Sequence, residues 1–182
     1  MKRAFLIAGL MAALAVAVLA SASANFAGTW ALDKTKSQGL SPRMQGADSV
    51  TWIITQDDKT ISIDQKVTGG QPPAGGAGGG AGTGGGGGRG PSGPTAYNLD
   101  GSATTMDVGG GQMTGKSTLK ATWVGNALQL SRNSILNGPN GEVTSTETRK
   151  LELSSDGKVL TATVHSESPR GTTDSTLVFN KQ

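Results

Sequence analysis

Beyond residue 26, apolar residues recur at every second position in short runs. Val50, Trp52 and Ile54 share one parity, and Ile61, Ile63 and Val67 another. The same alternation links Leu119, Ala121 and Trp123, then Leu128 with Leu130, and Leu151 with Leu153. It continues through Leu160, Ala162 and Val164 to Leu177 and Phe179, with Thr and Ser filling many of the positions between. A period of two marks strands with one buried and one solvated face. The pattern predicts nine or ten strands, over 27–32, 49–56, 59–67, 95–99, 103–108, 117–124, 127–135, 142–153, 158–167 and 172–181. Residues 33–48 are polar, carry Gly and Pro, and have room for one short helical turn.

Turn chemistry separates these runs. Asp57-Asp58, Asp100-Gly101, Gly125-Asn126, Gly138-Pro139-Asn140-Gly141 and Asp156-Gly157 each fall between two alternating segments. Asp-Gly suits tight hairpins because glycine adopts positive φ without a steric cost. Consecutive hairpins imply an antiparallel meander, since parallel strands need long crossovers. One open sheet of this size would bury one face and expose two edges, and closure removes both problems. The expected fold is therefore all-β, an antiparallel up-and-down barrel of about 8–10 strands. A two-sheet sandwich is the competing architecture, although it normally uses longer crossovers. An outer-membrane barrel fits poorly, because outward faces carry Ser, Thr, Lys and Glu and only six aromatics follow residue 24.

Composition then divides the chain. Of its 29 glycines, 15 lie between Gly69 and Gly93. Residues 68–94 offer almost no side chains to bury, and glycine loses the most entropy on ordering. They read as a disordered loop inserted in one domain spanning 25–182. At the start, Lys2 and Arg3 precede an apolar run from Ala4 to Ala20 and a Ser-Ala-Ser-Ala site. That is the layout of a signal peptide over 1–24, cleaved after Ala24, with a retained membrane anchor as the alternative. The expected location is the periplasm or the medium, with no integral membrane span after cleavage.

Charge and cysteine content exclude several function classes. The chain has 16 basic and 13 acidic residues. Without Lys2 and Arg3 the count is 14 against 13, and no basic patch marks a nucleic-acid partner. There is no cysteine, so disulfides, thiol catalysis and Cys-based zinc sites are ruled out. His165 is the lone histidine, and its parity points it to solvent. No nucleophile–base constellation is visible, so neither enzymatic activity nor a cofactor is expected, and the molecule is expected to be a monomer.

Phe26-Ala27-Gly28-Thr29-Trp30-Ala31-Leu32 opens the mature chain with G-x-W. This resembles the first strand of lipocalins and of calycin-type barrels more broadly. With Asp33 and Lys36-Ser37, it is similar to small secreted bacterial proteins described as lipocalin-like. The resemblance implies that Trp30, with Gly28, closes the barrel floor against a basic side chain of the last strand, for which Lys181 is the candidate. The T-D-Y triplet of lipocalins, an arginine after the last strand and a C-terminal helix are missing.

Parity also puts polar groups inside. If Leu128 and Leu130 point inward, so does Arg132; if Leu151 and Leu153 do, so do Glu147 and Arg149. Buried charges need partners. The three residues are candidates for binding the carboxylate of an amphiphilic ligand, with Trp52 and Trp123 as stacking surface. The plainer alternatives are an internal Arg–Glu pair without ligand, a bulge that turns them out to water, and tryptophans that simply fill the core. Two functions follow: an exported binding protein for a small apolar or amphiphilic ligand, lined by Ile54, Ile63, Leu119, Leu130 and Leu151, or a non-catalytic structural or interaction protein of the bacterial envelope with a filled core.

Overall fold

The computed structural model describes residues 24–69, 93–110, 112–139 and 141–182. The expected leader before Ala24, and all but the ends of the expected glycine-rich loop, lie outside these residues. Ten strands form: β1 Gly28–Leu32, β2 Ser49–Gln56, β3 Thr60–Thr68, β4 Thr95–Asn98, β5 Thr104–Gly110, β6 Met113–Val124, β7 Ala127–Gly138, β8 Gly141–Leu153, β9 Val159–Ser168 and β10 Gly171–Lys181. A short helix, α1, covers Pro42–Gly46 between β1 and β2. Ser41 caps it by accepting from Met44 N, and proline sits at its start, where no amide proton is needed. Among the described residues no helix is long and apolar enough to cross a membrane.

All ten strands belong to one sheet in the order β4-β3-β2-β1-β10-β9-β8-β7-β6-β5. Every ladder is antiparallel. First and last strands pair, with Trp30 opposite Lys181 and Leu32 opposite Phe179. The molecule is thus an up-and-down barrel, closed except where β4 and β5 fail to pair. A two-sheet sandwich is excluded.

The turns explain the register. Asp57 accepts from the backbone amides of Lys59 and Thr60 at 2.8 and 2.7 Å. These bonds, that from Lys59 first, hold its carboxyl below the usual range. Asp156 does the same after β8, accepting from Ser154 Oγ and Lys158 N. The Gly125 turn uses φ 61°, which a side chain disfavours. One expectation fails: Asp100-Gly101 has hairpin chemistry but joins no hairpin. Asp100 accepts from Ser102 N at 2.8 Å, and the chain turns. It then continues into β5, which pairs with β6, while β4 pairs only with β3. A tight turn fixes the reversal of direction; it does not fix which strand is the partner.

The interior has two halves. At the end near the β2–β3, β6–β7 and β8–β9 turns, Phe26, Trp30, Leu128, Leu151, Leu160, Ala162 and Phe179 are fully buried. Each buried Leu or Phe contributes roughly 1.5–3 kcal/mol. The linker after β1 is tied to β10 through Asp33, whose backbone N donates to Val178 O at 2.7 Å. Its carboxylate accepts from Thr35 Oγ1 at 2.6 Å and Asn180 Nδ2 at 3.3 Å. Led by the Thr35 hydroxyl, these bonds push the Asp33 carboxyl far below its ordinary range. The other half mixes polar and charged side chains with the buried Met44, Ala47, Val50 and Leu177.

Candidate functional site

The β7–β8 ladder runs without interruption from Leu128↔Leu151 to Gly138↔Gly141. No bulge breaks the parity. Arg132 therefore lies opposite Glu147, and Leu130 opposite Arg149, on the inward face. Arg149 Nε sits 2.7 Å from Glu147 Oε1, with both side chains 16% exposed. The contact is an ion pair by distance, but the N–H is not aimed at that oxygen, so this buried Nε has no hydrogen-bond partner. Desolvation disfavours the Arg149 charge; the Glu147 and Tyr97 groups more than offset it, and its pKa is raised. The guanidinium carbon of Arg149 stands 5.6 Å from the Trp52 ring centroid. A cation over an indole face is attracted by its quadrupole.

Trp52 is itself fully buried. It tilts against Phe179 at 4.4 Å between centroids and donates from Nε1 to Gln65 Oε1 at 2.9 Å. Arg132 Nε donates to Ser117 Oγ at 3.3 Å, and Ser117 lies 2.6 Å from Ser134 Oγ. Tyr97, from β4, feels all three charged groups. Its hydroxyl is pushed up mainly by burial, with Glu147 adding and the two arginines opposing, so it stays neutral. On the inward face one guanidinium, that of Arg149, is thus ion-paired with Glu147, while a second, that of Arg132, donates to Ser117. Such a site is complementary to an anion, and arginine presents its donors as a planar fork.

Gln65, Tyr97, Ser117 and Ser134 were not among the sequence candidates. Their signal was the same parity: Ser117 precedes Leu119 and Ala121 in β6, and Ser134 follows Leu130 in β7. Counting aliphatic residues alone passes over them.

Trp123 is not part of this cluster. It pairs with Leu128, one hairpin end away from Arg132, and stacks on Phe26 at 6.1 Å. Its half-buried ring lines a separate cleft of about 340 Å³ with Asn25, Gln56, Asp57, Asp58 and Leu99. Grouping it with Arg132, Glu147 and Arg149 conflated face with height. Parity says which side of a sheet a residue faces, not how far along the barrel it lies.

Gly28, Trp30 and Lys181 meet at the first-to-last seam. Trp30 is fully buried and donates from Nε1 to Phe26 O at 2.9 Å. Lys181 Nζ lies 5.2 Å from its ring centroid. Gly28 has φ 145°, and a Cβ there would stand 3.0 Å from Lys181 Cε. The absence of a side chain gives the lysine stem its path across the indole.

His165 is half-exposed on the outer face, as its parity requires. It is not alone: Nδ1 lies 2.6 Å from Asp174 Oδ1 and Nε2 3.2 Å from Glu167 Oε1. Asp174 first, then Glu167, raise its pKa. Among the described residues no group of His, Asp and Glu could hold a metal ion.

No protein-family model matches the chain. No curated protein matches it either. Among solved structures it is similar to zebrafish ileal bile acid-binding protein, crystallised with cholic acid. The TM-score is 0.46 at 15% identity, over 86% of this chain and 98% of the other.

Proposed function

We propose that this protein is an exported, non-catalytic binding protein for a small amphiphilic molecule with an anionic head group. The observation that carries the reading is the charge imbalance inside the barrel: two arginines, Arg132 and Arg149, and one carboxylate, Glu147, all acting on Tyr97. A carboxylate there would complete the second guanidinium and offset its desolvation. The apolar part of the ligand would have to enter beside Trp52 by displacing the inward aliphatics Ile54, Ile63, Leu119, Leu130 and Leu151, which are packed almost without accessible surface. The protein acts as a monomer, in the periplasm or the medium, without a nucleic-acid partner.

The test is small-molecule extraction of the purified protein followed by mass spectrometry, together with a titration of tryptophan fluorescence. Dodecanoate is expected to shift the emission of Trp52 and dodecylammonium is not. An unchanged spectrum with dodecanoate, and no extracted molecule, would overturn the reading. The outcome would then favour a filled-core structural or interaction protein of the envelope. What supports that second reading is the close packing at one end, where Trp30, Leu128 and Phe179 are wholly buried.

A further inference from the structure

The cleft beside Trp123 has a charge of its own. Its lining holds two carboxylates, Asp57 and Asp58, and no basic side chain. Lys59 and Asp100 adjoin it in sequence without lining it. Asp57 is committed to its turn by the amides of Lys59 and Thr60. No bond or ion pair engages Asp58 among the described residues. The remaining lining is Gln56, Leu99, the Trp123 ring and Asn25, the residue expected to become the N-terminus on export.

Neighbouring contacts fix Asn25 in place. Phe26 N donates to Gln56 Oε1 at 2.9 Å, and Ala27 N donates to Asn25 Oδ1 at 2.9 Å. Gln56 Nε2 donates to Ala24 O at 3.0 Å, a contact that disappears with the leader. We propose that cleavage after Ala24 builds an ion pair: the α-ammonium released on Asn25 occupies this cleft, bound by the Asp58 carboxylate with Asp57 beside it. The inference rests on the export reading. A leader peptidase adds water across the Ala24–Asn25 bond. The Ala24 carbonyl carbon takes the oxygen and leaves as a carboxylate, and the Asn25 nitrogen takes up protons to become the cation. The uncleaved chain has only a neutral amide at this position. Maturation thus supplies the positive charge that the cleft otherwise lacks, at the end of the barrel where β1 begins.

The sign follows from linkage. An α-ammonium whose pKa is raised by folding adds stability below its unfolded value of roughly 7.7–8.0, and that stability is lost as pH rises through the folded value. It also needs Asp58 ionised, so it fades again in acid.

The experiment produces the full chain with its leader in an exporting bacterial host. It reads the N-terminal sequence of the released protein and follows α-amine acylation against pH by mass spectrometry of the N-terminal peptide. The expected result is a chain starting at Asn25 with an α-amine pKa above about 8.2, beyond the ordinary spread for termini. The rise should vanish in Asp58→Asn and, in the unaltered protein, in about 1 M salt, where the screening length is ~3 Å. A different N-terminus would overturn the cleavage step itself. Cleavage at Asn25 with an amine of ordinary pKa, or a rise that survives both Asp58→Asn and salt, would overturn the ion pair. The salt series keeps the test decisive should the variant fail to fold.

Discussion

The two halves of the barrel interior are built from the same alternating strands and yet do different things. The end near Trp30 is filled by aromatic and aliphatic side chains, with Lys181 Nζ 5.2 Å from the Trp30 ring centroid. Four residues along β7 from Leu128, the inward face turns to Arg132 and Ser134, and along β8 from Leu151 to Arg149 and Glu147. Packed apolar groups return free energy in every state of the protein. Buried charges do so only when matched, and here they are one carboxylate short. The difference teaches that an up-and-down barrel can assign stability to one end of a strand and recognition to the other.

Substitutions should separate the two assignments. The largest loss is expected from Trp30→Ala, about 3–5 kcal/mol of unfolding free energy, as for other large core truncations. It is measured by urea denaturation. A loss below ~1 kcal/mol would show that the closed end is not what holds the barrel. Next, Glu147→Ala leaves Arg149 without its counter-charge in a mostly buried site. An expected cost of roughly 1–3 kcal/mol should be accompanied by tighter binding of dodecanoate, because the competing carboxylate is gone. Gly28→Ala should cost about 1–2 kcal/mol, from a positive φ and from displacing the Lys181 stem. A neutral result would mean the lysine stem moves aside freely.

Arg149→Met sharpens the contrast further. Replacing a charge by an apolar chain of similar length is expected to change stability by less than about 1.5 kcal/mol, while weakening an anionic amphiphile by tenfold or more. Stability and binding falling together would merge the two regions into one. The smallest effect belongs to the outer face. Raised by Asp174 and Glu167, the His165 pKa exceeds that of a free histidine. Any stability it adds is present below pH ~6.5 and lost as pH rises through the folded value. NMR titration of the ring should show a midpoint above that of the unfolded chain, returning toward it in Asp174→Asn.

Much of this was legible beforehand, for a physical reason. Period-two alternation is a local property, so β2, β8 and β9 could be placed to within a residue, and Arg132, Glu147 and Arg149 given the inward parity. Ladder partners that are not chain neighbours are not local. Asp100-Gly101 carries the same turn chemistry as Asp156-Gly157, yet only the latter joins paired strands. Height along the barrel is not local either, which is why Trp123 was grouped with residues it does not approach. His165 was readable as outward, but its pairing with Asp174 depends on the β9–β10 register.

The seam without a ladder has a consequence for the integrity of the chain. Reading the sheet in order, strands β1 to β4 form one meander and strands β5 to β10 another, and among the described residues their ladders meet only where β1 pairs with β10. A backbone break at Gly101 would therefore sever no strand pairing at all. The fold behaves as two complementary pieces whose covalent link and whose hydrogen-bonded link lie on opposite sides of the barrel.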